Sequence, residues 1–360
     1  YQDGNKNSSI VDRRNGNDSH LNNEAYVWQD GDDNTSEIRQ WGDLNIADVY
    51  QDGDENYARI RQGGSGNDAD VDQTGLKNTV YSQQSKDDNT LTVTQEGERN
   101  YATEYTNGYS NFVDIHQDGI HNSSRGFRMG DENEAYISQV GDENKSDVEQ
   151  HGNLNIAGVA QLGNSNIVDI DQTGNEHLAA VWQVGGTNNA DIDQTGSTHV
   201  AAVAQIGDGN KATIEQRPHV NDSNQMNSAN NTGIISQIGD ANTASLLQVG
   251  SGDNGTFMQI GNSNWVDAFQ NGSYNTAWAN QTGDLNELDL VQTGAWNNST
   301  NLQIGVENTA EIYQASSGHT QIGAQIGNEN FLDVSQTGAN QFHFGAQVGN
   351  NNTLTVTQSN

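Results

Sequence analysis

The stretch Gln51-Asp52-Gly53-Asp54-Glu55-Asn56-Tyr57-Ala58-Arg59-Ile60-Arg61-Gln62 decides the fold, because it opens and closes on glutamine and its neighbours repeat it. Stepping by 11 residues from Gln29 to Gln216, and again from Gln237 to Gln358, glutamine fills 28 of 30 positions; Thr106 and Arg128 are the exceptions. Glycine stands two residues later in 26 of the 30 units, replaced by Lys86, Pro218, Ser316 and Asn360. Asparagine stands five residues later in 24 of 29, with His177, His199, Asp253, His319 and Gln341 as the substitutes. A fixed period of this kind governs the whole architecture, so it precedes any reading of single elements.

Between each Asn and the next Gln the residues alternate, as in Asn166-Ile167-Val168-Asp169-Ile170-Asp171-Gln172. A period of two is that of a strand, and it places Asn, the small or branched residues and Gln on one side. Each unit is therefore a strand of about seven residues followed by a short arc whose Gly supplies the backbone freedom a reversal needs. Two units make one 22-residue turn, and the expected fold is an all-β solenoid with two facing parallel sheets. Turns stack about 4.8 Å apart, so identical residues lie over one another in the manner of cross-β. Inward Gln139, Asn144, Gln150, Asn155, Gln161, Asn166, Gln172, Gln183, Asn188 and Gln194 then form amide ladders along the axis, which satisfies groups that would be costly to bury alone.

Composition agrees with such a core. The 360 residues carry 14 Lys+Arg against 48 Asp+Glu, a net charge of −34, and only 31% are hydrophobic. That charge excludes nucleic acid as a partner, since phosphate binding needs a basic surface. No apolar run approaches the roughly 18 to 20 residues of a membrane-spanning helix, so the chain is not expected to be membrane-embedded. Tyr1-Gln2-Asp3-Gly4 has no signal-peptide character, so a secreted protein would be present in its mature form. Without cysteine, disulfides and thiolate chemistry are excluded.

The unit Gln-x-Gly-x-x-Asn-x-Ala-x-x-x-Gln, which Gln51–Gln62 reproduces in full, resembles the repeat of the curlins, the major subunits of bacterial curli fibres. The resemblance runs from Gln29 to Gln358. It implies a secreted β-solenoid that polymerises head to tail into extracellular biofilm fibres, with roles in adhesion, export through an outer-membrane channel and seeding by a nucleator. The chain departs from familiar curlins in length, with strands enough for about 15.5 turns. The first 28 residues lack the glycine-rich export segment of that family.

Outward columns report on the surface. Asp147 and Glu149, Asp169 and Asp171, and Asp191 and Asp193 share one sheet by their 22-residue spacing. They are read as a solvated face that delays premature assembly, with weak Ca²⁺ binding as the sharper alternative. The opposite sheet presents Leu162, Trp182, Val184 and Ile206, read as a lateral packing surface between solenoids. Residues 1–28 are read as irregular units with a short insertion between Arg13 and Asp18. Residues 29–216 and 231–360 are regular repeats, and the polar segment 217–230, which contains Pro218, is a surface loop. The last unit, Asn352 to Gln358, still follows the repeat and reads as a template for addition. Neither a phosphate loop nor a nucleophile elbow is present, so no catalytic residue and no cofactor is assigned. A monomeric solenoid that binds a ligand, ice or calcium on a flat face is the alternative to a fibre subunit.

Overall fold

The computed structural model describes residues 1–14, 22–218 and 230–359. Among these, 31 β-strands and no helix are present. The chain forms two compact units, Tyr1–Asn175 and Glu176–Asn360. In the first, one sheet takes Ser8–Arg14, Thr35–Asp43, Tyr57–Ser65, Thr79–Ser85, Tyr101–Asn107, Ser123–Met129, Lys145–His151 and Ile167–Asn175 in that order. The other takes Glu24–Asp30, Ile46–Asp54, Asp68–Leu76, Thr90–Glu98, Phe112–Ile120, Glu134–Val140 and Ile156–Asn164. The second unit repeats the plan. One of its sheets starts at Leu178–Gly186 and ends at Phe342–Val348; the other starts at Asn189–Ser197 and ends at Thr353–Ser359. Consecutive strands alternate between sheets, so each unit is a β-solenoid with two strands per turn.

All pairings are parallel and in register, as in Ile115↔Ile137 and Gln117↔Gln139. Register follows from burial: Asn56, Ala58, Ile60 and Gln62 are inward and at most 1% exposed, whereas Tyr57, Arg59 and Arg61 between them face out. A slip by one residue would turn the amides outward and the charges inward. In the second unit Gln205 pairs with Gln237 and Gln216 sits above Gln248, both 32 residues apart rather than 22. The extra ten residues therefore leave strand order and facing unchanged, and the apolar strands on either side share one sheet. The expected loop falls largely on residues 219–229, and the expected irregularity after Arg13 on residues 15–21; both lie outside the described residues.

Nearly every arc among the described residues uses two left-handed residues. The fourth residue after Gln is near φ +57°, as at Glu55, Leu154 and Glu307, a conformation that side chains tolerate at modest cost. The second is the repeat glycine, and its constraint is steric as well as torsional. Gly53 sits at φ +108°, and a Cβ there would press into the carbonyl oxygen of Gly75 on the next turn. Gly158, by contrast, lies mid-strand with open space around its Cβ position. Gly53→Ala is therefore expected to destabilise the fold by more than about 1 kcal/mol, and Gly158→Ala to be neutral or to stabilise by about 0.4–1 kcal/mol. Denaturation midpoints of the two variants check this.

Candidate functional site: the inward ladders and the outward faces

In the first unit the Gln29 amide donates from Nε2 to Oε1 of Gln51 at 2.7 Å, and the chain of bonds continues through Gln73, Gln95, Gln117 and Gln139 to Gln161 at 2.7–2.9 Å. In the second unit one ladder links Gln183 to Gln347 and another links Gln194 to Gln358, at 2.8–3.1 Å per step. The same Nε2 also reaches across the core: Gln172 donates to the Ile156 carbonyl of the opposite sheet at 3.0 Å. The ladder therefore joins turn to turn and sheet to sheet.

Asparagine does a different task. Asn144 donates from Nδ2 to the Gly163 carbonyl of the next arc at 2.7 Å, and its Oδ1 accepts from Asn166 Nδ2 and from the Asn166 backbone N–H, both at 3.1 Å. Asn155 and Asn188 likewise hold the Gly174 and Gly207 carbonyls, at 2.9 and 2.7 Å. Gln139, Gln150, Gln161, Gln183 and Gln194, with these asparagines, are fully buried.

Three features escape a reading that starts at Gln29. First, Gln2-x-Gly4-x-x-Asn7 is itself a repeat signature, and Gln2 Nε2 donates to Gln29 Oε1 at 2.5 Å while Asn7 holds the Gly31 carbonyl at 2.8 Å. Its signal was present, but the interval from Gln2 to Gln29 is not a multiple of 11. Second, the arcs carry a further ladder. The backbone N–H of Gly186 donates to Asp208 Oδ1 at 2.6 Å, that of Asp208 to Asp240 at 2.9 Å, and that of Asp240 to Asn262 at 2.9 Å. Some acids that read as free surface charge thus fix the arcs.

The third lies where the glutamine column breaks. Arg128 and Glu104 are both buried and form an ion pair in the core of the first unit. Arg128 Nε also donates to Gln150 Oε1 at 3.2 Å, and Thr106 Oγ1 donates to Glu104 at 3.1 Å. Gly126 lies opposite Glu104 in the register, and a Cβ there would collide with both charged groups. Four departures from the repeat thus form one unit. Burial raises the Glu104 pKa, opposed by Arg128. Arg128→Gln alone should cost about 3–5 kcal/mol, because it strands a buried carboxylate. Restoring the repeat at all four positions (E104V, T106Q, G126V and R128Q) should return stability to the parent value or above it, measured by chemical denaturation.

Substitutes in the Asn column keep its polarity. His199 and His177 stack with ring centroids 5.2 Å apart. Nδ1 of His199 accepts the Asn231 backbone N–H at 3.2 Å, and Nε2 of the same ring faces the Thr195 carbonyl at 3.1 Å. Only the neutral ring with its proton on Nε2 satisfies both contacts. Burial, then His177, lowers the His199 pKa to about 4. Asp253 accepts from Asn275 N at 2.8 Å and Nδ2 at 3.0 Å through Oδ1, whereas Oδ2 is buried without a hydrogen-bond partner. Burial raises its pKa to about 6. The two act in opposite directions. His199, held below its unfolded value, contributes fully above pH 6.5 and loses that contribution as pH falls towards 4. Asp253, held above its unfolded value, contributes fully below pH 3.8 and loses that contribution as pH rises through about 6. Asp253→Asn should therefore gain on the order of 2–3 kcal/mol over the parent between pH 4 and pH 7.5, and the gain of His199→Asn should grow as pH falls from 6.5. Denaturation midpoints across that range check both.

On the outside, Asp147 stands beside Asp169 and Glu149 beside Asp171. Arg125 engages both Asp147, at 2.9 Å, and Glu149. Asp171 is raised by burial and then by Glu149, and Asp191 is raised by burial. Among the described residues no group of three or more His, Asp or Glu side chains is placed to hold a metal ion. Trp182, Leu162 and Ile206 are 48, 43 and 37% exposed, and Val184 is half-buried.

Compared with known families, the chain matches the curlin associated repeat over residues 42–75, 87–122, 129–152, 142–174, 163–196, 187–217, 261–294 and 327–359, more than half its length. It belongs to the curlin-repeat family. No curated protein matches it. Curlin repeats on a β-solenoid mark a curli-type structural protein. The curlin repeat therefore corresponds to the physical unit described above: Gln and Asn are its rungs, and Gly is the left-handed arc position where a Cβ would press on the next turn, as at Gly53.

Proposed function

We propose that the chain is the structural subunit of an extracellular curli-type amyloid fibre at the bacterial surface, growing by head-to-tail addition of folded copies and serving biofilm matrix and adhesion. The observation that carries this reading is the uniformity of the rungs. In the second unit every step of both glutamine ladders has the same donor, acceptor and spacing within 0.3 Å. A terminal rung therefore presents what an internal rung presents to its neighbour, and another copy can continue the Gln and Asn ladders with the backbone bonds. Each hydrogen bond so completed contributes about 0.5–1.5 kcal/mol, and a whole turn completes many at once. Family membership supports self-assembly in general and a place outside the cell. Export through an outer-membrane channel and seeding by a dedicated nucleator belong to the same reading. No helix among the described residues is long and apolar enough to cross a membrane.

A surplus of 34 negative charges opposes the approach of copies, and salt screens that repulsion. The purified full chain should form thioflavin-positive filaments after a lag. Sonicated filaments should remove the lag, and raising the ionic strength from about 0.01 to 0.15 M should shorten it. A chain that stays monomeric in electron micrographs at every concentration, with or without seeds, contradicts the proposal.

A further inference from the structure

In the second unit, the sheet from Leu178–Gly186 to Phe342–Val348 contains eight strands, and each presents four outward positions. None of those positions is Asp, Glu, Lys or Arg. In a chain that is 17% charged and carries −34, this is a surface of another kind. The other sheet of the same unit shows Asp191, Asp193, Asp267, Asp289, Glu311 and Asp333 outward, and the first unit shows Asp48, Asp70 and Asp72. The charge-free face instead carries exposed Trp182, Ile206, Ile238, Ile304, Ile326 and Phe344. Depletion of charge with aromatic and branched apolar residues is the composition of an interface core. Charge is also the usual device that keeps sheet surfaces apart, and here it is missing.

We infer that this face is an isologous docking surface for the same face of a second copy, so that two solenoids pair laterally through it. The charge pattern selects the occupant. Docking this face onto an acidic face of another copy would bury carboxylates without partners, whereas docking it onto itself buries none. The size fits as well. Eight strands about 4.8 Å apart, with seven residues of about 3.3 Å each, cover roughly 900 Å² per copy, against the ~800 Å² per partner of a standard stable interface. A two-fold axis lying between the two sheets and parallel to them would set the two faces about 10 Å apart, as in aligned sheet-on-sheet packing, and leave the acidic faces in water. This pairing goes beyond end-to-end growth and does not require it.

The test is electron microscopy of the full chain, scored for paired and single filaments, with sedimentation velocity of the soluble chain in parallel. Ile238→Lys with Ile260→Lys places two charges on adjacent rungs of one outward column. Ile304→Lys with Ile326→Lys repeats the change elsewhere on the face, so that one misfolded variant does not decide the outcome. Both should reduce the paired fraction, or weaken the soluble dimer, by at least about tenfold. Asp289→Lys with Glu311→Lys on the opposite sheet should leave pairing unchanged. Pairing should also survive chelation of divalent cations and moderate salt, since no charge contributes to it. Single filaments of the parent protein overturn this inference and leave the fibre reading intact. A chain that forms no filaments but sediments as a dimer sensitive to the same lysines supports it, and a monomer overturns it. Pairs insensitive to both lysine variants, or a face that binds phosphatidylcholine vesicles while filaments remain single, also overturn it.

Discussion

A carboxamide taken out of water must find a partner for its two donors and its acceptor, or it costs about 1–3 kcal/mol. The rest of this structure depends on meeting that condition at every turn. Gln meets it with the Gln one turn away and with a carbonyl of the facing sheet. Asn meets it with the backbone of its neighbouring turns. Because the partner of each rung is another rung, the solution propagates along the axis of each unit and needs no large apolar core. Ala58 and Ile60, between Asn56 and Gln62, suffice to fill the space between the sheets.

The same condition decides which departures survive. A histidine replaces asparagine only as a neutral ring that accepts at Nδ1 and donates at Nε2. An aspartate keeps the acceptor and loses the donor, which leaves an oxygen of Asp253 without a partner. At Thr106 and Arg128 the amide bonds are replaced by an ion pair, and Gly126 vacates the volume it occupies. A buried pair of this kind also marks one turn as different from its copies. A slip by one turn would separate Glu104 from Arg128 and bury both charges unpaired. The turns without such a mark remain equivalent, which is what addition of a further copy requires.

Much of this was legible in the sequence. An 11-residue period with alternation inside it specifies strands, arcs, facing and stacking together, because one register buries amides and any other buries charges. The inward ladder was readable for the same reason, down to Gln139, Asn144 and their successors. What was not readable depends on partners that the period does not announce. Thr106 and Arg128 stand out as breaks, but Glu104 and Gly126 sit in a column that tolerates many residues, and only the pairing of adjacent turns links them. The arc acids Asp208 and Asp240 stand outside the strand columns that the period sorts, and their task, to accept a backbone N–H from another turn, shows only in the stacking. Gln2 and Asn7 were hidden by an interval that breaks the count. Arg125, which engages Asp147 and Glu149, stands in the Asp147 column one turn before it, where a reading that follows acidic residues alone does not look for a cation.

The account stands on the inward amides being hydrogen-bonded rungs rather than passive filler. Side-chain amide hydrogen exchange, followed by NMR on uniformly ¹⁵N-labelled protein, tests that most directly. The Nε2 protons of Gln259, Gln281 and Gln292 should be protected to the level of strand backbone amides, while the Nδ2 protons of the exposed Asn254 and Asn298 exchange freely. Rung amides that exchange as fast as the exposed ones would contradict the account.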